Sequence, residues 1–136
     1  MTYQQTLEYL YASQPAFHLV GGAAYKPGLD NTYSLMEHLG NPYRKFRSVH
    51  IAGTNGKGST SHLIAASLQA SGLRVGLYTS PHLVDFRERI RLNGQMISEE
   101  YVVRFVDDNK DFLEEIRPSF FETTMAMAFA YFADMQ

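Results

Sequence analysis

Three glycines, a lysine and several hydroxyls crowd into one short segment: Gly53-Thr54-Asn55-Gly56-Lys57-Gly58-Ser59-Thr60. Phosphate oxygens need converging donors and little steric bulk, and this composition supplies both. Glycines at 53, 56 and 58 let backbone N–H groups turn inward as an anion nest. A helix starting just after them would point its positive end at the same spot. Lys57 supplies a point charge for β- and γ-phosphates, and Ser59 and Thr60 offer hydroxyls near a metal ion. The chemistry implied is the binding of a nucleoside triphosphate. The plainer reading is a glycine-rich turn with an incidental lysine. The spacing also departs from the usual phosphate loop. Only Thr54 and Asn55 separate Gly53 from Gly56, and Gly58 stands between Lys57 and Ser59.

The elements around the loop must hold it in place. Phe46 to Ala52, with Val49 and Ile51, reads as a strand ending at glycine. From Gly58, the residues Leu63, Ile64, Ala66 and Leu68 describe a helix that ends near Ser71-Gly72, and Arg74 to Thr79 reads as a second strand. Strand, turn, helix and strand predict a parallel pair with a right-handed crossover. Upstream, Leu7, Leu10 and Tyr11 predict a helix over 3–13 that Pro15 ends. Residues 20–29 read as a loop. Asp30 or Asn31 caps a helix carrying Tyr33, Met36 and Leu39, which stops at Gly40-Asn41-Pro42. Downstream, a long loop runs into a hairpin turning at Asn93-Gly94. Ser98 caps a helix reaching about Glu115, and a strongly apolar helix runs from Thr123 to Met135. The fold class predicted is α/β, a phosphate-loop-type parallel sheet flanked by helices.

Bulk properties narrow the function. The chain has 136 residues, which fits one domain. A net charge of −2 argues against a general nucleic-acid binder, which needs a basic excess. No cysteine is present, so disulfides and thiolate metal sites are excluded. No secretory signal is visible, and no apolar run approaches the roughly 20 residues that span a bilayer. The expectation is a soluble cytoplasmic protein with no membrane or nucleic-acid partner. The final residues still read as helix, with no Gly or Pro stop, which suggests a piece of a longer chain.

Further residues gain meaning together. His50 to Ser59 resembles the phosphate loop of the folylpolyglutamate synthase and dihydrofolate synthase family, a branch of the ATP-dependent Mur ligases. Tyr78-Thr79-Ser80-Pro81-His82-Leu83, followed by Arg87-Glu88-Arg89-Ile90-Arg91, resembles a second signature of that family. Ser119-Phe120-Phe121-Glu122-Thr123-Thr124-Met125-Ala126 is similar to a third in order and spacing. The resemblance implies that 1–136 is the N-terminal part of a Mur-ligase-like ATP-binding domain. The C-terminal glutamate-binding domain and the remaining metal ligands would lie beyond Gln136.

It also implies an activity: ATP activates a folate or dihydropteroate carboxylate as an acyl phosphate, and L-glutamate attacks it. Lys57 and the loop from Gly53 to Thr60 would hold ATP, and Ser80 would ligate Mg2+. Tyr25, Lys26 and Pro27, together with His82, Ser119, Phe120, Phe121 and Glu122, would meet the pteroate. Each has a plainer reading. Ser80 could end a strand, and His82 could only fix its loop. Phe120 and Phe121 could be core, and Glu122 could suit a helix dipole. Alternating Arg87, Arg89 and Arg91 would share one strand face, either solvated or a charge field for an anion. His18, His38 and His62 match no motif. The alternatives to the ligase are a nucleotide-binding module without ligase activity and another Mur-type amide ligase. The parent is expected to be a monomer. The piece alone is expected to be inactive, and either to self-associate through an uncovered final helix or to be only marginally stable.

Overall fold

The computed structural model describes residues 1–13 and 28–136. Helix α1 (Tyr3–Ser13) is followed by α2 (Asp30–His38), a 3-10 turn at Pro42–Lys45, and α3 (Lys57–Ala70). Strand β1 (Gly76–Tyr78), a 3-10 turn at Phe86–Arg89 and strands β2 (Ile90–Leu92) and β3 (Gln95–Met96) come next. Helices α4 (Glu99–Ile116) and α5 (Phe120–Asp134) complete the described order.

The two long helices show why the sequence folds this way. Ser98 Oγ accepts from the Tyr101 amide at 3.2 Å and starts α4, while Glu99 and Glu100 suit the positive end of the helix. Tyr101, Val102, Phe105, Val106 and Leu113 recur at helical spacing, and all are buried. Arg117 takes a left-handed conformation at the C-terminus. Helix α5 begins at Phe120, three residues before the start the sequence suggests. Ser119 Oγ accepts from the Glu122 amide at 3.1 Å, and Glu122 Oε2 accepts from the Ser119 amide at 2.7 Å. This reciprocal cap satisfies two orphan donors of the first turn, so the helix can start there.

Helix α5 is the centre of the molecule. Helices α2 and α4, strand β1 and the Pro42 turn all pack against it, and α1 packs on α4. Leu10, Leu35, Leu113, Phe120 and Met127 form one cluster with the α4 side chains. Each such side chain stabilises the fold by about 1.5–3 kcal/mol on burial. The Tyr101 hydroxyl donates to Asp134 at 2.6 Å and ties α4 to the end of α5. His38 stacks on Phe112 with ring centroids 3.9 Å apart, and its Nε2 lies 3.0 Å from Asn109 Oδ1, joining α2 to α4.

Two expectations need correction. The first concerns the sheet. All pairing among the described residues is antiparallel, in the order β1-β2-β3, with Tyr78 opposite Ile90 and Leu92 opposite Gln95. The Asn-Gly hairpin forms as expected, with φ of 49° at Asn93 and 79° at Gly94. Residues 46–52, however, form no strand. A strand exists only through a neighbour's hydrogen bonds, and among the described residues no strand pairs with this segment.

The second concerns the final helix, which is not left uncovered. Ala126, Met127, Ala128 and Tyr131 are buried by α2, α4 and the sheet. Exposed apolar surface lies instead on α3, where no residue is buried and Leu63 is 70% exposed. Among the described residues, no helix is long and apolar enough to cross a membrane.

Candidate functional site

Gly56 is the N-cap of α3, with a left-handed φ of 77° and no side-chain cap. A residue with a Cβ resists that conformation, so glycine lets the chain turn sharply into the helix. The first amides of a helix with no side-chain cap are then open to a ligand. A Cβ at Gly56 or Gly58 would meet nothing within 4 Å, so the space over the loop is clear. Lys57 is the first residue of α3, and its Nζ curls back to donate to the Gly53 carbonyl. The whole stretch from Gly53 to Thr60 is exposed. The segment therefore fits a phosphate chain: uncapped amides at a helix terminus and one ammonium lie on an exposed, glycine-rich loop.

Ser80 follows β1, the strand on which α3 packs. Its hydroxyl is exposed and makes no hydrogen bond among the described residues. One free hydroxyl suits Mg2+, which keeps several waters and takes other ligands from substrate phosphates. No group of three or more His, Asp or Glu that could hold a metal occurs among the described residues, so Ser80 supplies only part of any such site.

His82 is held from both sides. Arg89 Nε donates to His82 Nδ1 at 2.7 Å. An arginine can only donate, so Nδ1 is the acceptor and the neutral ring carries its proton on Nε2. That nitrogen lies 3.3 Å from the Tyr11 hydroxyl. Burial raises the Tyr11 phenol above its ordinary value, against the nearby Arg89 charge.

Beneath this pair sits Phe120, only 2% exposed. Tyr11 stacks on it with centroids 5.4 Å apart, and the Arg89 guanidinium lies 5.0 Å from its centroid. Phe120 is thus a core residue that carries the site. Its neighbour Phe121 is 53% exposed and tilts over Tyr78 at 5.9 Å, so it is the ring open to a planar ligand. The Tyr78 hydroxyl lies 2.8 Å from Thr124 Oγ1, and burial raises its phenol.

The three arginines do not share a strand face. Arg87 and Arg89 belong to the 3-10 turn, and only Arg91 lies in β2. Arg87 pairs with Asp85 at 3.0 Å, and Arg89 is buried. A turn advances about a third of a revolution per residue, which separates side chains that a strand would align.

Ser119 and Glu122 form the α5 cap, and Glu122 Oε1 also accepts from Thr32 Oγ1 at 3.3 Å. The Glu122 carboxylate therefore has a structural task. Tyr25, Lys26 and Pro27, like His18, lie outside the described residues.

Sequence reasoning missed the frame of the 83–88 turn. Glu88 accepts from three successive backbone amides, Leu83 at 2.9 Å, Val84 at 3.0 Å and Asp85 at 2.7 Å. These bonds hold its carboxyl below the usual range. Asp85 returns the favour by accepting from the Arg87 amide at 2.9 Å. The signal was present as an acidic capping pair three residues apart. Held in this way, Leu83 and Val84 are each 91% exposed. Tyr11 was missed as well, because its contact with His82 spans 71 residues.

No family profile matches the chain. The dihydrofolate synthase/folylpolyglutamate synthase of Bacillus subtilis is 44% identical over 115 residues, covering 80% of this chain and 27% of that protein. The folylpolyglutamate synthase of Lacticaseibacillus casei is 36% identical over 143 aligned positions, covering all of this chain and 32% of that protein. The crystal structure of folylpolyglutamate synthase from Thermotoga maritima superposes with a TM-score of 0.85 at 44% identity, covering 98% of this chain and 30% of that one. By sequence and by fold, this chain is similar to one part of the folylpolyglutamate and dihydrofolate synthases.

The fold is thus that of the N-terminal portion of a Mur-ligase-like enzyme, as the motifs suggested. The chain spans about a third or less of the length of these relatives. A similar structure, at 34% identity and TM-score 0.85, is described as a complex of folylpolyglutamate synthase with AMPPCP and folate.

Proposed function

We propose that the protein containing this chain is an ATP-dependent ligase that joins L-glutamate to a folate or dihydropteroate carboxylate. The observation that carries the reading is the open glycine loop at the uncapped start of α3, in a chain similar throughout to folylpolyglutamate synthases. The relatives' names and the AMPPCP–folate complex support ATP and a folate as ligands. In this reading the Gly53–Thr60 amides and Lys57 hold the β- and γ-phosphates. A carboxylate oxygen of the acceptor attacks the γ-phosphorus, the bond to the bridging oxygen breaks, and ADP leaves. The glutamate amine then attacks the acyl carbon, phosphate leaves with the electron pair, and the amine proton is lost. Such transfers are accelerated by positioning and by charge neutralisation, which is what this loop supplies.

Mg2+ bound at Ser80 would neutralise phosphate charge. Phe121 would offer a ring face to the pterin, with His82 and the 119–122 segment bordering it. Tyr25, Lys26 and Pro27 are proposed as further pteroate contacts. Glutamate binding and the remaining metal ligands would come from the rest of the protein, which we propose is a cytoplasmic monomer. The 136-residue chain alone is then inactive, and the exposed apolar residues on α3 promote its self-association. Sedimentation of the purified chain checks this point, and a stable monomer would contradict it.

The deciding experiment measures ADP release by the full-length parent with dihydropteroate or folate and L-glutamate. Release that requires both supports the ligase. Release that ignores the acceptor would instead identify a nucleotide-binding module of another kind.

A further inference from the structure

Among the described residues, Arg89 is a buried cation without a counter-ion. It is 3% exposed. Its neighbours among the described residues are neutral: the His82 imidazole at 2.7 Å, the Phe120 ring at 5.0 Å, and the Tyr78 hydroxyl close by. Only two ion pairs occur among the described residues, Arg87 with Asp85 and the N-terminus with Asp107. Residues 14–27 contain no Asp or Glu, so no carboxylate from that segment is available.

The chain places its acidic partner two residues away, on the more exposed Arg87. This is the reverse of what burial requires, because a buried charge is costly unless it is paired. A guanidinium carries five N–H donors. His82 accepts from one of these in Arg89, the Tyr78 hydroxyl lies nearby, and among the described residues the remaining donors meet no other acceptor. Burial holds the guanidinium below its ordinary value, as expected of an unneutralised charge.

The placement of Arg89 is equally specific. Its carbonyl accepts from the Thr79 amide at 2.9 Å, which sets its backbone beside the residue preceding Ser80. It also fixes His82 and lies over Phe120, next in sequence to the exposed Phe121.

We propose that Arg89 is an anion-binding residue, completed by an oxyanion of the bound substrate, foremost the carboxylate that is to be activated. This rests on the ligase reading above. A planar guanidinium matches the two oxygens of a carboxylate, or of a phosphoryl group, with parallel N–H donors. The alternative is that Arg89 serves only to wedge His82 against Phe120, where charge is immaterial.

The test uses the full-length parent with Arg89→Met and Arg89→Lys. Calorimetry would give the affinities of dihydropteroate, of its carboxamide analogue and of ATP, with no turnover needed. The wild type should prefer the carboxylate to the carboxamide by tenfold or more. Arg89→Met should bring that ratio near one while leaving carboxamide affinity unchanged, and Arg89→Lys should keep part of the preference. If Arg89→Met instead weakens ATP or inorganic phosphate and spares the carboxylate preference, the oxyanion belongs to the nucleotide.

A folded Arg89→Met protein that changes neither would overturn the proposal. Should that variant fail to fold, the wild-type Arg89 side-chain nitrogen resonances decide. They must move with dihydropteroate and not with the carboxamide, or move with ATP, and no movement with any of these refutes anion binding. If the wild type binds neither pteroate compound, the ligase reading fails separately. Arg89 then stands or falls on the ATP and phosphate measurements.

Discussion

The Phe132 ring fills the place where a side chain on Gly76 would begin, with its Cδ1 2.5 Å from the position a Cβ would take. Strand β1 can lie this close to α5 only because residue 76 is glycine. Gly76→Ala should therefore destabilise the chain by about 1–3 kcal/mol, the usual cost of overpacking a well-filled site. Thermal melting of the single variant and of Gly76→Ala with Phe132→Leu checks this, the second recovering part of the loss. An unchanged melting temperature in the single variant would show that the ring yields freely.

Lys57 lies on the exposed loop, and its ammonium donates to the Gly53 carbonyl. Lys57→Ala should leave the melting temperature nearly unchanged. In the full-length parent it should cost about 3–4 kcal/mol of transition-state stabilisation, the scale of losing one charge contact in a closed site. Steady-state ADP release reads this directly, and near-normal turnover would remove the lysine from the phosphate site.

Ser80 offers a hydroxyl that the described residues leave unused. Ser80→Ala should raise the magnesium concentration needed for half-maximal activity, with recovery at high magnesium. A crystal structure with nucleotide and Mg2+ provides the second check, since a direct ligand lies at roughly 2.0–2.1 Å.

The Glu88 carboxyl is held below its ordinary value by the amides of Asp85, Leu83 and Val84. A depressed carboxyl stabilises the folded turn above its unfolded value, and that contribution is lost as pH falls through the folded one. The turn should therefore be ordered at neutral pH and loosen under acid conditions. Hydrogen exchange at the amides of residues 83–85 should speed up there, beyond the intrinsic pH dependence of exchange. Glu88→Gln should remove that transition, and a variant that retains it would assign it to Asp85.

Much of the molecule can be read from local signals. Ser98 and Ser119 cap helices because a hydroxyl can reach an amide three residues ahead, and Asn93-Gly94 turns because both residues tolerate positive φ. The glycines and lysine of the proposed phosphate loop depend on the same short-range geometry, so Gly53 to Thr60 could be proposed as a site before any fold was known. Three ordered motifs together pointed to the ligase family.

Other features depend on contacts between distant residues, and periodicity carries no trace of them. Whether 46–52 pairs as a strand is decided by its neighbours and not by Val49 and Ile51. Phe120 and Phe121 are the same residue type side by side. Yet Phe120 is closed over by Tyr11 and Arg89, and Phe121 is left open. The final helix looked unprotected from its composition, but α2 and α4 cover it. Arg89 read as one of three equivalent arginines until the turn at Phe86–Arg89 rotated it inward and left Asp85 to Arg87. Sequence alone determined which groups could bind phosphate and where helices start, because those are matters of a few adjacent residues. Burial, pairing and charge compensation were decided by the tertiary structure, because each depends on what a residue far along the chain places beside the group.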